Sequence, residues 1–280
     1  PVGFKRSDID HLSASQLQGN FFSTTPLLPA MSRPMDWTGL ILGAAAMAAG
    51  GVLKGAVGAG APLIAVPLLA LLYDVPFAVA LFVIPSLLGN IWQGWLYRAH
   101  FLPRRFLLGF AGAGGAGAFI GSLVLANVPG DILLAGLALV VFLYLGLRFS
   151  RPDWVLSRRA GDKLAIPAGL LGGVMQGAGG VSAPASVTFL NAMRLERLEF
   201  IATIAVFFAT MSLVQFPTLW ALGILTPERA LLGLAATLPL FGAMPVGAWL
   251  ARHLSREVFD KVILALLAII AFRLLYGAVT

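Results

Sequence analysis

The sequence predicts an all-α polytopic membrane protein built of two homologous halves, and three observations carry that expectation. The first is composition: of 280 residues, 59% are hydrophobic and 11% charged, whereas a soluble domain carries about 25% charged residues. The second is segregation. The apolar residues gather into eight runs, roughly 37–72, 75–97, 106–127, 132–147, 164–193, 200–222, 230–251 and 258–278, most of them long enough to cross a bilayer. The third is a repeat. Residues 50–62 return as residues 172–184 at an ungapped offset of 122, with eight of thirteen positions identical: Gly50/Gly172, Gly51/Gly173, Val52/Val174, Gly55/Gly177, Ala56/Ala178, Gly58/Gly180, Ala61/Ala183 and Pro62/Pro184.

Taken in order, residues 1–35 form a polar, irregular tail that does not have the pattern of a secretory signal. Met31 and Met35 in it are candidate chain starts. Residues 36–150 form the first membrane repeat, 151–163 a cytoplasmic linker and 164–280 the second repeat, with four apolar runs on each side of the linker. The runs part at turn and charge clusters: Asp74-Val75-Pro76, then Arg98-Ala99-His100 with Pro103-Arg104-Arg105, then Asn127-Val128-Pro129-Gly130-Asp131. The first run of each half, 37–72 and 164–193, is too long for a simple span and carries the repeated Gly-rich, Pro-closed motif near its middle. Glycine and proline release backbone groups from the helix ladder, and at membrane depth those groups must face protein or a water-filled cavity.

Two topologies fit. Either each broken run is one discontinuous span, giving eight spans and parallel halves, or each is a re-entrant hairpin of two half-helices of about 13 residues, too short to span. The second leaves three spans per half and inverts the halves. Loop charge places 98–105 and 148–163 in the cytoplasm under both. The inverted arrangement is preferred, because it does not depend on the tail.

A duplicated chain with a Gly/Pro-interrupted hydrophobic segment at the same place in each half points to a secondary transporter with its site at the interruptions. A helix restarting after such a break offers free N–H groups and the positive end of its dipole to an anion, and glycine allows close approach to the backbone. The expected binding residues at the breaks are therefore Gly55, Gly58, Gly60 and Ala61 in the first half and Gly177, Gly179, Gly180 and Ser182 in the second. Small-xxx-small helix packing is the competing explanation for such glycines. Lys54 is the one ionisable side chain well inside an apolar run, a placement that is functional by default in a membrane. Its alternative is snorkelling to an interface. Its repeat counterpart is Gln176, so the expected site pairs one cation with one amide. A second polar set keeps the same offset: Gln93 matches Gln215, and Asn90 matches Ser212, each pair spaced three apart on one helical face. Cavity lining and interhelical hydrogen bonding compete as explanations for these amides. Ser86, Thr188, Asn191 and Thr210 are weaker candidates. Trp92, Trp95, Trp220 and Trp249 fall toward run ends, where interfacial anchoring is the default reading.

The motifs Gly55 to Pro62 and Gly177 to Pro184, each opening one half, resemble the sulfite exporter TauE/SafE family, the group that includes the toluene sulfonate uptake permeases. Asp74 to Ala80 and Arg194-Leu195-Glu196 sit where that family has a short loop before its next helix. The resemblance covers about residues 36–278. The consecutive glycines usual in the family are diluted in the first half by Val57 and Ala59. It implies transport of a small sulfur-containing anion, such as sulfite, sulfoacetate or another organosulfonate, across the bacterial inner membrane.

Other classes are disfavoured. His11, His100 and His253 lie in the tail or loops, and no Ser/His or Asp/Asp pair falls at membrane depth, which argues against an intramembrane enzyme. There is no Walker-type phosphate loop. Cysteine is absent, so disulfides and thiolate sites are excluded. No cofactor and no metal are expected. The basic residues behind the net charge of +7 sit in short loops between apolar runs, the pattern of cytoplasmic loop charge rather than of a nucleic-acid surface. An anion channel remains the alternative to a carrier, although the runs offer only scattered amides for a polar path. No Asp or Glu lies well inside a run, so the expected driving force is the substrate gradient and membrane potential, or protons carried through Lys54 or on the substrate.

Overall fold

The computed structural model describes residues 37–150, 154–253 and 256–279. The polar tail 1–35 and linker residues 151–153 lie outside the described residues. Among those described are ten α-helices and one short 3-10 helix: α1 Trp37–Val57, α2 Ala61–Leu72, α3 Val75–Leu96, the 3-10 helix Arg98–His100, α4 Arg104–Asn127, α5 Gly130–Ser150, α6 Arg158–Gly179, α7 Ser186–Ala192, α8 Arg197–Ala221, α9 Pro227–His253 and α10 Arg256–Val279. Seven of them are long and apolar enough to cross a membrane: α1, α3, α4, α5, α8, α9 and the Lys261–Val279 part of α10. The protein is a multi-pass membrane protein. Its outward faces suit lipid, with Leu108, Leu139, Leu213, Leu238 and Ile269 exposed, as are Trp92, Trp95, Trp220 and Trp249.

The 37–72 run resolves into a 21-residue helix and a 12-residue helix, not into two of equal length. At 1.5 Å per residue α2 is about 18 Å long, short of the ~30 Å hydrocarbon core. Residues 58–60 separate the two helices, with Gly58 and Gly60 both at positive φ (82° and 92°), where a side chain would be strained. α2 then folds back along α1: Gly50 packs on Ala61 and Ala65, and Gly43 faces Leu69. In the second half a long helix is also followed by a short one. α6 begins at Arg158, inside the stretch read from sequence as linker, and ends before Gly180 at φ 71°. The 7-residue α7 returns beside it, with Ser186 near Gly172 and Met193 near Gly161.

α3 starts where Asp74 caps it. The Asp74 Oδ1 accepts the Phe77 N–H at 2.6 Å, and Pro76 occupies the first turn, where its missing N–H is harmless. Asp74→Ala is expected to destabilise the protein by about 1 kcal/mol, read as a fall in thermal midpoint that Asp74→Asn largely avoids.

Long-range packing joins the two sets of helices. α1 lies along α9, α4 along α6, and α3 against α8, while α5 meets α10. Two of these crossings run backbone to backbone. On α6, a Cβ at Gly169, Gly173 or Gly177 would collide with the carbonyls of Phe110, Gly114 and Ala118 on α4. Gly117 and Gly121 on α4 face the Leu170 and Val174 carbonyls in return. On α1, Gly51 and Gly55 meet the carbonyls of Leu240 and Met244 on α9, and Gly247 meets that of Val52. The four-residue spacing of small side chains is what allows helices to approach this closely in a membrane. Around the α4–α6 crossing, Phe110 stacks on Phe207 with centroids 4.2 Å apart and touches Phe189. These rings tie α4, α7 and α8 together.

Candidate functional site

Lys54 stands in the last turn of α1 and is 5% exposed. Its Nζ donates to Asn90 Oδ1 at 2.7 Å and to Gln93 Oε1 at 3.1 Å, both on α3. The sequence spacing of these two amides puts them on one face, and α3 turns that face toward α1. Gln93 uses the other end of its amide to hold the turn after α1, Nε2 donating to the Gly58 carbonyl at 3.0 Å. Asn90 donates from Nδ2 to the Ser86 carbonyl at 2.7 Å and to Ser86 Oγ at 3.1 Å. The Ser212 hydroxyl on α8 donates to Ser86 Oγ at 2.9 Å. A continuous buried polar chain therefore runs from Gly58 through Gln93, Lys54, Asn90 and Ser86 to Ser212, crossing from the first half of the molecule to the second.

The recorded partners of the ammonium are neutral amide oxygens, with no carboxylate among them. An ammonium has three N–H donors, and two are engaged. Beside it is a small cavity lined by Lys54, Gly60, Ala61, Pro62, Ser86 and Asn90, closed by Phe82, Pro85, Phe208 and Leu240. Its volume of ≈ 10 Å³ is about that of a single water, so this conformation is closed around the ammonium. The first turn of α2 opens on it. Pro62 has no N–H and that of Leu63 is taken by the Gly60 carbonyl at 2.9 Å, and the positive end of the α2 dipole lies at this turn. An open, largely apolar surface groove of ≈ 340 Å³ lies between α3 and α8 and shares Asn90 with the cavity at Lys54. Arg98 lines it, its guanidinium 4.9 Å from the Trp95 ring centroid.

The other expected residues are placed less centrally. Gly55 and Gly177 sit in the helix crossings, facing backbone carbonyls. Gly58 contributes its carbonyl to Gln93, and its α-carbon faces Ile201. Gly180 is buried against Val66 and Val79, and Gly179 faces Leu137. Ser182 is fully buried, its Oγ 3.0 Å from that of Ser186. Gln176 is 4% exposed, and its Oε1 has no hydrogen-bond partner. Gln215 donates to the Gly177 carbonyl at 3.4 Å. None of these second-half residues lines the cavity at Lys54. Phe208 and Leu240 do line it and were not anticipated, because nothing local in the sequence marks an apolar side chain as a cavity wall. Ser86 could have been ranked higher, since it lies one helical turn before Asn90.

The profile of the sulfite exporter TauE/SafE family matches residues 42–274. The chain belongs to that family. The matched region takes in the whole polar chain around Lys54 and both Gly-rich turns. Membership makes the protein a transporter-family member with membrane-spanning helices, and suits it to a sulfur-containing anion. No curated protein and no solved structure matches the chain significantly.

Proposed function

We propose that this protein is a secondary carrier that exports a small sulfur-containing anion, sulfite or an organosulfonate, across the bacterial inner membrane, binding it at Lys54. One observation carries this reading: a buried ammonium whose partners are neutral amides, set in the wall of a cavity at the N-terminus of α2. A charge inside a membrane is costly unless it is paired, and an anion supplies the missing countercharge. Asn90 and Gln93 orient the ammonium, and the positive end of the α2 dipole adds to the attraction for the anion.

In this reading the two halves are inverted repeats, each opened by a helix pair broken at a Gly-rich turn, the long α1 or α6 followed by the short α2 or α7. The reciprocal packing of α1 on α9 and α4 on α6 supports it, as pairs related by the 122-residue offset exchange partners across the molecule. Gly58 facing Ile201 and Gly180 facing Val79 are likewise related by that offset. The closed cavity is an occluded state. The 98–105 and 148–163 loops are expected on the cytoplasmic side, which puts Arg98 there. An inside-negative potential drives export of a net −1 anion by about 2.3 kcal/mol per 100 mV, which suits removal of a toxic anion made inside the cell.

Counterflow in proteoliposomes against sulfite, sulfoacetate, taurine and sulfate tests the reading. Saturable counterflow of sulfite or sulfoacetate is expected, with net efflux accelerated by an inside-negative potential. Linear, non-saturating flux would identify a channel, and no flux of any sulfur anion would overturn the proposal.

A further inference from the structure

The cavity at Lys54 is lined from both halves of the chain, and one position of the repeat contributes to it twice. Ser86 on α3 and Phe208 on α8 are related by the 122-residue offset, and both line the cavity. Their local settings correspond as well. Ser86 lies one helical turn before Asn90, and Phe208 one turn before Ser212. The hydrogen bonds then diverge. Asn90 reaches back to the Ser86 hydroxyl, whereas a phenyl ring offers no such acceptor, and Ser212 donates across to Ser86 instead. The ring of Phe208, 3% exposed, fills from the second half the space that a serine-sized side chain would leave open.

An anion larger than a water cannot enter a cavity of ≈ 10 Å³ unless a wall moves. Most of the walls are held. Lys54, Asn90 and Ser86 are tied together by hydrogen bonds. Ala61 and Leu240 pack on Gly50 and Gly51 so closely that a methyl there would collide with their carbonyls. Pro62 and Pro85 have rings fixed to the backbone. That leaves the rings of Phe82 and Phe208, which can turn between rotamers. Phe82 springs from α3, one turn before Ser86 and on the same helix as the amides. Phe208 comes from α8, on the other side of the α3–α8 packing. It stands outside the tight Phe110–Phe207 stack, with its centroid 5.9 Å from that of Phe207. We propose that Phe208 is the size-setting wall of the anion site: its ring turns aside to admit the anion, and the room it leaves discriminates among sulfonates by the length of their carbon chain. Lys54 and its amides meet a head group common to every sulfonate, so they cannot tell one chain length from another. The carbon chain has to lie against the apolar wall, where Phe208 stands. The inference rests on the reading of Lys54 as the anion's countercharge, and on no assumption about which sulfur anion the cell exports.

The test uses the full chain in nanodiscs with methanesulfonate, ethanesulfonate and propanesulfonate, which share a head group and a charge and differ only in the carbon chain. Binding is measured by isothermal titration calorimetry, with sulfite beside them. In the parent, affinity should fall along the series. In Phe208→Ala the fall should vanish or reverse, raising the ratio of propanesulfonate to methanesulfonate affinity at least about tenfold, the lower end of what one methylene is worth in an apolar pocket. Phe208→Leu should give an intermediate ratio, and decides the matter should the alanine variant not fold. Phe207→Leu changes the adjacent ring, which does not line the cavity. It should lower the thermal midpoint, through loss of the stack on Phe110, and keep the parent's ratio. A ratio unchanged in the Phe208 variants, with sulfite or methanesulfonate still bound, overturns the inference and leaves the export reading standing. An equal shift in Phe207→Leu overturns it too, because general loosening would then be the cause. Parent protein that binds neither sulfite nor any sulfonate overturns the export reading, and the inference with it.

Discussion

Lys54→Gln is expected to weaken anion binding between about thirtyfold and a hundredfold, the equivalent of one hydrogen bond to a charged group lost at a desolvated site. The fold should survive. A glutamine at this position can still donate to Asn90 Oδ1 or Gln93 Oε1, and it reproduces the residue that the second half carries at Gln176. Removing an unpaired buried charge also relieves a desolvation cost, so the thermal midpoint should hold or rise while binding falls. That opposition separates a binding role from a structural one. Lys54→Arg keeps the charge but not the compact ammonium that fits between two amides, and should retain part of the binding. Anion titration in nanodiscs, run beside melting, gives both readouts. A Lys54→Gln protein that binds like the parent would remove Lys54 from the site.

The second large effect is on the fold. Gly173→Ala is expected to destabilise the protein by about 3 kcal/mol or more, at the upper end of overpacking costs. In an ordinary helix interior the same change stabilises by up to about 1 kcal/mol. The sign reverses here because the new methyl would meet the Gly114 carbonyl of α4, and a backbone atom cannot rotate away as a side chain can. The whole α4–α6 crossing must then open, loosening the Phe110–Phe207 stack beside it. Gly136→Ala on α5 is the control, since a Cβ there has nothing within 4 Å. Melting curves should separate the two variants widely. Equal midpoints would mean that the α4–α6 crossing yields to a methyl group without cost.

Part of the candidate site was legible in the sequence because its signals are local. Lys54 stood out as an isolated charge in apolar text, and the three-residue spacing of Asn90 and Gln93 set both amides on one helical face. The structure brings these three together with distances of hydrogen bonds. The repeat motif was less transparent. Its glycines serve several tasks that one-dimensional spacing does not distinguish. Gly58 and Gly60 make a turn that needs positive φ, whereas Gly55 lets α9 approach α1. Substrate approach and helix approach both call for a missing side chain, so the same letter answers to either. The apolar cavity walls, Phe208 and Leu240, carried no signal at all.

By itself the sequence determined the membrane class, the repeated Gly-rich motif and the single charge inside an apolar run. Each follows from chemistry that acts over a few residues: hydropathy, helical periodicity and the cost of a charge in lipid. Only the tertiary structure decided that α1 pairs with α9 and α4 with α6, that Ser212 closes a polar chain begun at Gly58, and that Gln176 is left without the partner its counterpart has. Those outcomes depend on which surfaces fit across more than a hundred residues of chain. In a bilayer, where the surrounding lipid is as apolar as the helices, that choice rests on shape and on hydrogen bonds between helices.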